Sequence, residues 1–249
     1  MRELAFKFIG RVASHFKGRH YELDRNIPLS LLLGLLIRRT VWLLRGLSKG
    51  LVLQRRFALV FMAKGVNLRA ASLIRFGNGV TLERGVIIDG LLRRGIVLGD
   101  HVMIGPYSVL IGAPVENLGE GITMGANSAV SAYSYLGSSG PITIGENVIM
   151  GQHVCFHPEN HNFERTDIPI KYQGTTRVGI TIEDDVWVGS DVTFLDGAYV
   201  GRGAIIGAGS LVRGVIPPNS IAVGVPARVI RSRVLQHATP LKSDAHALD

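Results

Sequence analysis

Ile182–Leu211 reads IEDDVW VGSDVT FLDGAY VGRGAI IGAGSL, and this stretch decides the fold. An aliphatic or aromatic residue opens each block of six: Ile182, Val188, Phe194, Val200 and Ile206. Four positions after each opener comes a smaller residue: Val186, Val192, Ala198, Ala204 and Ser210. Glycine and polar residues fill the turn positions. This is the six-residue pattern of a parallel β-helix, in which each block is one short strand plus a turn and three blocks make one triangular coil. The opener points into a narrow prism, and the smaller residue leaves room at its corner.

The frame extends backwards. Openers fall at Phe76, Leu82, Ile88; Leu98, Ile104, Leu110; Met124, Val130, Leu136; Ile144, Met150, Phe156; Ile182, Val188, Phe194; and Val200, Ile206, Val212. Within each of these six groups the spacing is six, and between groups it is 10, 14, 8, 26 and 6 residues. Every insertion therefore follows a third block, at one corner of the prism. The longest runs from His157 to about Gly179 and holds HPENHNFERTDIPI, with His157 and His161. The expected architecture is all-β: a parallel β-helix of six three-block coils over 71–216, a basic helical segment over 1–70, and a C-terminal extension and tail over 217–249. Pro217 and Pro218 are expected to stop the repeat.

Composition agrees with this shape. The chain has 249 residues, enough for a sizeable core, and at 47% hydrophobic it is not a disordered composition. With 31 glycines and only 7% aromatics, it suits many tight turns around a narrow aliphatic core. The single cysteine, Cys155, forms no intrachain disulfide; it fits a reducing compartment and reads as a small buried filler rather than a nucleophile. The longest apolar block, Leu29–Ile37, begins too late for a signal peptide and falls short of the ~20 residues that span a bilayer. A cytoplasmic location is expected.

The net charge of +8 is unevenly spread: residues 1–69 carry 14 Lys/Arg and 3 Asp/Glu, and residues 70–249 carry 13 and 16. That asymmetry argues against nucleic acid as a partner of the whole chain. Within the basic segment, Pro28 suits a first helical turn. Arg38, Arg45, Lys49 and Arg56 share one face if the helix is continuous, with Leu32, Leu36, Leu43 and Leu47 beside them. A basic amphipathic helix predicts peripheral contact with an anionic membrane surface. A helical cap with solvated charges is the alternative.

Three stretches, ITIGENVIMGQHV, HNFERTDIPIKYQG and ITIEDDVWVGSDVTFLDGAYVGRGAIIGAGSLVRGVIPPNSIAVGVPARVIR, resemble the hexapeptide-repeat acyltransferases, above all the sugar and polysaccharide O-acetyltransferases. The resemblance implies a left-handed coil, a homotrimer, and acetyl-CoA bound between neighbouring prisms as co-substrate, with no metal. It implies transfer of an acetyl group to a sugar hydroxyl of a carbohydrate acceptor, in surface polysaccharide biosynthesis. The family's catalytic histidine falls seventeen residues after the Ile-Gly of the preceding coil, which here is Ile144-Gly145 and leads to His161. Its imidazole would take the hydroxyl proton during attack on the thioester, a task suited to a pKa near neutrality. Glu164 and Asp167 are nearby candidates to orient it. His157, followed by Pro158, is the rival base, and His153 reads as packed or interfacial. Ser190 and Ala208 match positions lining the pantetheine channel, and Arg228 and Arg231 match residues meeting the nucleotide phosphates. Arg213 stands near the same cofactor site, where relatives often carry Thr followed by Lys-Asp; here Gly214-Val215 follows. Trp187 matches a family tryptophan and reads equally as a bare surface platform. The other readings are amino-sugar N-acetyltransferase, serine O-acetyltransferase, a zinc enzyme of the carbonic anhydrase kind using His153, His157 and His161, and a non-enzymatic β-helix.

Overall fold

The computed structural model describes residues 6, 7, 9–11, 14, 23, 24, 26–53 and 58–233. From Val60 onward the chain winds through three parallel sheets that form the faces of a prism. Face A holds the second opener of each coil, face B the third and face C the first. The registers stack these openers directly, as in Leu82 on Ile104 (A), Ile88 on Leu110 (B) and Phe76 on Leu98 (C). Seventeen of the eighteen predicted openers are buried, and Phe76 packs partly buried against the same core. The smaller corner residues Val186, Val192, Ala198, Ala204 and Ser210 are buried as well. The fold is the expected all-β parallel β-helix.

The prism is longer at both ends than the repeat suggested. Val60–Met62 pairs with Val80–Leu82, and Asn67–Arg69 pairs with Ile87–Asp89, so Met62 and Leu68 take opener positions ahead of residue 70. At the far end Ile216 stacks on Val200 and Ala222 on Ile206, so Pro217 and Pro218 form a turn rather than a stop. Both extensions hide behind a changed turn length: Leu68 to Phe76 is eight residues, and Val212 to Ile216 is four. Ser220–Gly224 then folds back antiparallel onto Ala227–Ser232, closing the end of face A. Residues 234–249 lie outside the described residues.

Coils are tied together at the corners by buried serines. The Ser128 hydroxyl donates to the Gly145 carbonyl (2.7 Å) and accepts from the Val148 N–H (2.9 Å), joining two successive coils. Ser134 and Ser138 make similar bridges. Among the described residues no buried side-chain N or O lacks a hydrogen-bond partner, as expected where burying an unpaired polar group is costly.

Helix α1, Leu29–Leu53, lies against Val60–Met62. Leu32 is buried, Leu36, Leu43 and Leu47 are half-buried, and a side chain at Gly46 would strike the Val60 carbonyl, so this is the face the prism covers. The Arg39 guanidinium turns the same way, donating to the Thr81 hydroxyl (3.2 Å). The expected basic row is continuous in the helix through Lys49; Arg56 lies outside the described residues.

Candidate active site: a loop on one corner, a column on another

All the inserts leave the prism between face B and face C, and they touch one another. Arg93 and Arg94 pair with Glu120 (3.4 and 3.3 Å), Gly119 leaves no room for a side chain beside Ser138, and Gly140 leaves none beside Pro158. The longest insert begins where Cys155–His157 ends. Phe156 stays in the core, stacked on Phe194 with ring centroids 4.9 Å apart, while the His157 ring packs on Tyr135 at 5.7 Å. Next comes a two-rung antiparallel ribbon, in which Asn160 faces Thr176 and His161 faces Thr175. His161 is thus held at a defined backbone position with its side chain exposed.

The loop's shape is set by side chains far away in sequence. The Arg177 Nε donates to Glu159 (2.6 Å), and its Nη1 reaches the Asn117 side chain (3.2 Å) and the Leu118 carbonyl (3.3 Å) of a neighbouring insert. Asp196 accepts from the N–H groups of Val178 and Gly179 (2.9 and 2.7 Å) and from the Asn160 amide (3.4 Å), which fastens both ends of the loop. At the tip, the Gln173 amide donates to the carbonyls of Arg165 (2.6 Å) and Ile168 (3.1 Å). Sequence reasoning missed all three residues. Arg177 and Gln173 lie in the insert outside the repeat, Asp196 sits at a turn position of the FLDGAY block, and their partners lie up to 60 positions away.

The suggested orienting acids are engaged elsewhere. Asp167 pairs with Arg165 (2.5 Å), whose guanidinium holds that carboxyl below its ordinary range. Glu164 accepts from the Phe163 N–H (3.1 Å). His153 is no core residue: its ring is exposed, its Nδ1 is 3.1 Å from Asp191 Oδ1, and it sits beside Tyr133. Cys155 is half-buried rather than buried, and desolvation raises its thiol above its ordinary pKa. That disfavours the thiolate and hence a nucleophilic role. Trp187 is exposed on face A. Among the described residues no three His, Cys, Asp or Glu side chains gather as a metal site would need.

Two of the residues proposed for the cofactor, Ser190 and Ala208, occupy a different corner, between faces A and B. There one residue per coil adopts left-handed backbone: Tyr107, Tyr133, His153 and Asp191, with φ from 57 to 59°. Such φ values are uncommon for bulky side chains. Ser190 and Ala208 precede this position in successive coils, and the Gly209 N–H donates to the Ser190 carbonyl (2.9 Å). Arg228 and Arg231 sit on the closing strand Ala227–Ser232 at the end of face A, and both are exposed. Arg213 is apart from them, exposed after Leu211–Val212 on the corner that carries the inserts. The structure therefore brings Ser190 and Ala208 together on one edge and holds His161 on another, with face B between them.

Breaking the Arg177 tie tests how far the loop depends on it. The Arg177 and Glu159 side chains are only 16% and 22% exposed, so the pair is screened less than a surface one. Arg177→Met is expected to cost the loop roughly 1.5–3 kcal/mol, the usual worth of charged hydrogen bonds. Hydrogen exchange should then speed up in residues 158–179 and stay unchanged in the coils. Unchanged loop exchange would show that the tie is dispensable.

Fold and corner geometry define a parallel β-helix with a six-residue repeat, and the bacterial transferase hexapeptide (six repeats) family model matches residues 179–214. Similarity to curated proteins is confined to part of the chain. Galactoside O-acetyltransferase of Escherichia coli (strain K12) is 41% identical over 78 residues, 31% of this chain and 36% of its own length. WbbJ, a putative lipopolysaccharide biosynthesis O-acetyl transferase of the same strain, is 39% identical over 75 residues, 30% of this chain and 37% of its own. A probable acetyltransferase of Mycobacterium tuberculosis is 42% identical over 76 residues, 30% and 25%. The match thus spans between a quarter and little more than a third of these relatives. Among solved structures, a hexapeptide-repeat-containing acetyltransferase of Vibrio cholerae aligns with TM-score 0.46 and 26% identity over 53% of this chain and 71% of its own. AntD, an N-acyltransferase of Bacillus cereus, aligns with TM-score 0.48 and 20% identity over 72% and 81%.

Proposed function

We propose that this protein is an acyl-CoA-dependent O-acetyltransferase that moves an acetyl group from acetyl-CoA to a sugar hydroxyl, with His161 as general base. The observation that carries this reading is the shape of the insert: a long loop, tied at Arg177 and Asp196, that presents an exposed imidazole on a rigid prism. Partial similarity to a galactoside O-acetyltransferase supports the sugar hydroxyl as acceptor. Imidazole at Nε2 or Nδ1 accepts the hydroxyl proton as the oxygen attacks the thioester carbonyl, and returns it to the departing CoA thiolate. Ser190 and Ala208 line the pantetheine arm, and Arg228 and Arg231 meet the phosphates, where a planar guanidinium suits phosphate oxygens. Arg213 lies on the insert corner with His161.

Because loop and column occupy different edges of one prism, a complete site needs a second copy, the loop of one meeting the column of its neighbour. A homotrimer closes three such sites. The acceptor belongs to surface polysaccharide synthesis, and residues 1–70 give a peripheral membrane contact. Among the described residues no helix is long and apolar enough to cross a membrane.

The test is release of CoA thiol from acetyl-CoA, across a panel of soluble sugars, amino sugars and serine. Thiol release with an O-acetylated sugar product is expected. Transfer only to amines, or no release with any acceptor, would overturn the reading.

A further inference from the structure

We propose that the outer face of helix α1 is a docking surface for an anionic lipid bilayer, with the helix lying flat along it. This deepens the peripheral-membrane part of the reading above and rests on it. The leucines expected at the contact, Leu32, Leu36, Leu43 and Leu47, are the ones the prism covers. A second apolar stripe stays uncovered, roughly a third of a turn round the helix from the packed one: Leu33, Ile37, Val41 and Leu44, at i, i+4, i+8 and i+11. Ile37 is 67% and Leu44 59% exposed, so these are outward-pointing side chains rather than the rim of the packed face. Arg38 and Arg45, seven apart and both exposed, border the stripe along one side. The Arg38 guanidinium also lies over the Trp42 ring at 5.3 Å.

Charge decides the occupant. Leu29–Leu53 contains no Asp or Glu, and residues 1–69 carry a surplus of eleven positive charges (14 minus 3). A second copy docking by the same face would set Arg38 and Arg45 against their own counterparts with no acid of the helix between them. An anionic headgroup layer meets the arginines with opposite charge while acyl chains take the stripe, which is how basic amphipathic helices bind interfaces. The helix is not apolar enough to span.

Co-sedimentation with vesicles tests this, comparing phosphatidylglycerol/phosphatidylcholine with phosphatidylcholine alone. The full chain should bind the anionic vesicles at least tenfold more tightly, and lose most of that in high salt. The double variant Ile37→Glu/Leu44→Glu should lose at least tenfold in binding. Each of Arg38→Gln and Arg45→Gln should lose about fivefold, the worth of ~1 kcal/mol per basic residue near an anionic surface. Circular dichroism and light scattering on each variant should match the parent, because the changed side chains point away from the prism. Equal binding by parent and double variant overturns the proposal, as does equal affinity for both vesicle types. A change in oligomeric state caused by the double variant also overturns it and assigns the face to another copy. Thiol release with a soluble sugar should be unchanged in all these variants, so loss of vesicle binding and loss of acyl transfer are read separately.

Discussion

His161→Ala is expected to lower turnover with a soluble sugar acceptor by about 10²–10⁴-fold, the usual contribution of a positioned acid–base group. A sugar hydroxyl keeps its proton at neutral pH and attacks a thioester poorly unless a base removes it in the transition state. The His161 imidazole is exposed and rooted in the Asn160–His161 ribbon, so its removal disturbs no packing. The KM for acetyl-CoA, thermal stability and oligomeric state should therefore stay near the parent values while kcat falls. His157→Ala is the control: its ring packs on Tyr135 where the chain leaves the coil, so a modest loss of stability and little loss of kcat are expected. Near-normal turnover in His161→Ala would end the assignment. A collapse of kcat in His157→Ala alone would pass the role to that residue.

Phe156→Ala is expected to cost about 3–5 kcal/mol of stability, the range for deleting a buried aromatic ring. Phe156 and Phe194 are among the largest fully buried side chains, and they stack on each other in adjacent coils of face B. A narrow prism has little freedom to collapse into the cavity, because each coil is held by hydrogen bonds to the coils above and below. The residue is also the last core anchor before the long loop, so kcat should fall even at temperatures where the coils stay folded. Urea unfolding measures the first effect and a thiol-release assay the second. A stability loss below ~1 kcal/mol would mean that the ring is not packed as described.

The prism was legible in the sequence because its cross-section forces one inward side chain every six residues. Phe76 to Val212 could be placed on the three faces without any knowledge of contacts. The end coils escaped notice because turns of eight and four residues displace Met62, Leu68, Ile216 and Ala222 from the six-residue beat. The site was legible only in part. The long insert and its histidines stand out against the repeat, but closeness in sequence misjudged the partners. Glu164 and Asp167 turn to Phe163 and Arg165, while the loop is held by Arg177 and Asp196, whose partners come from other coils and inserts.

By itself the sequence determined the β-helix, the corner from which every insert leaves and the loop that carries His161, because each depends on spacing along the chain. Only the tertiary structure decided which side chains fasten that loop, since Arg177 meets Glu159 and Asn117, and Asp196 meets Gly179, only once the three faces close around a core. It also decided which side of α1 meets the prism. The helix offers two apolar stripes, and the one that packs brings Gly46 close to the Val60 carbonyl, a contact between residues with no shared pattern.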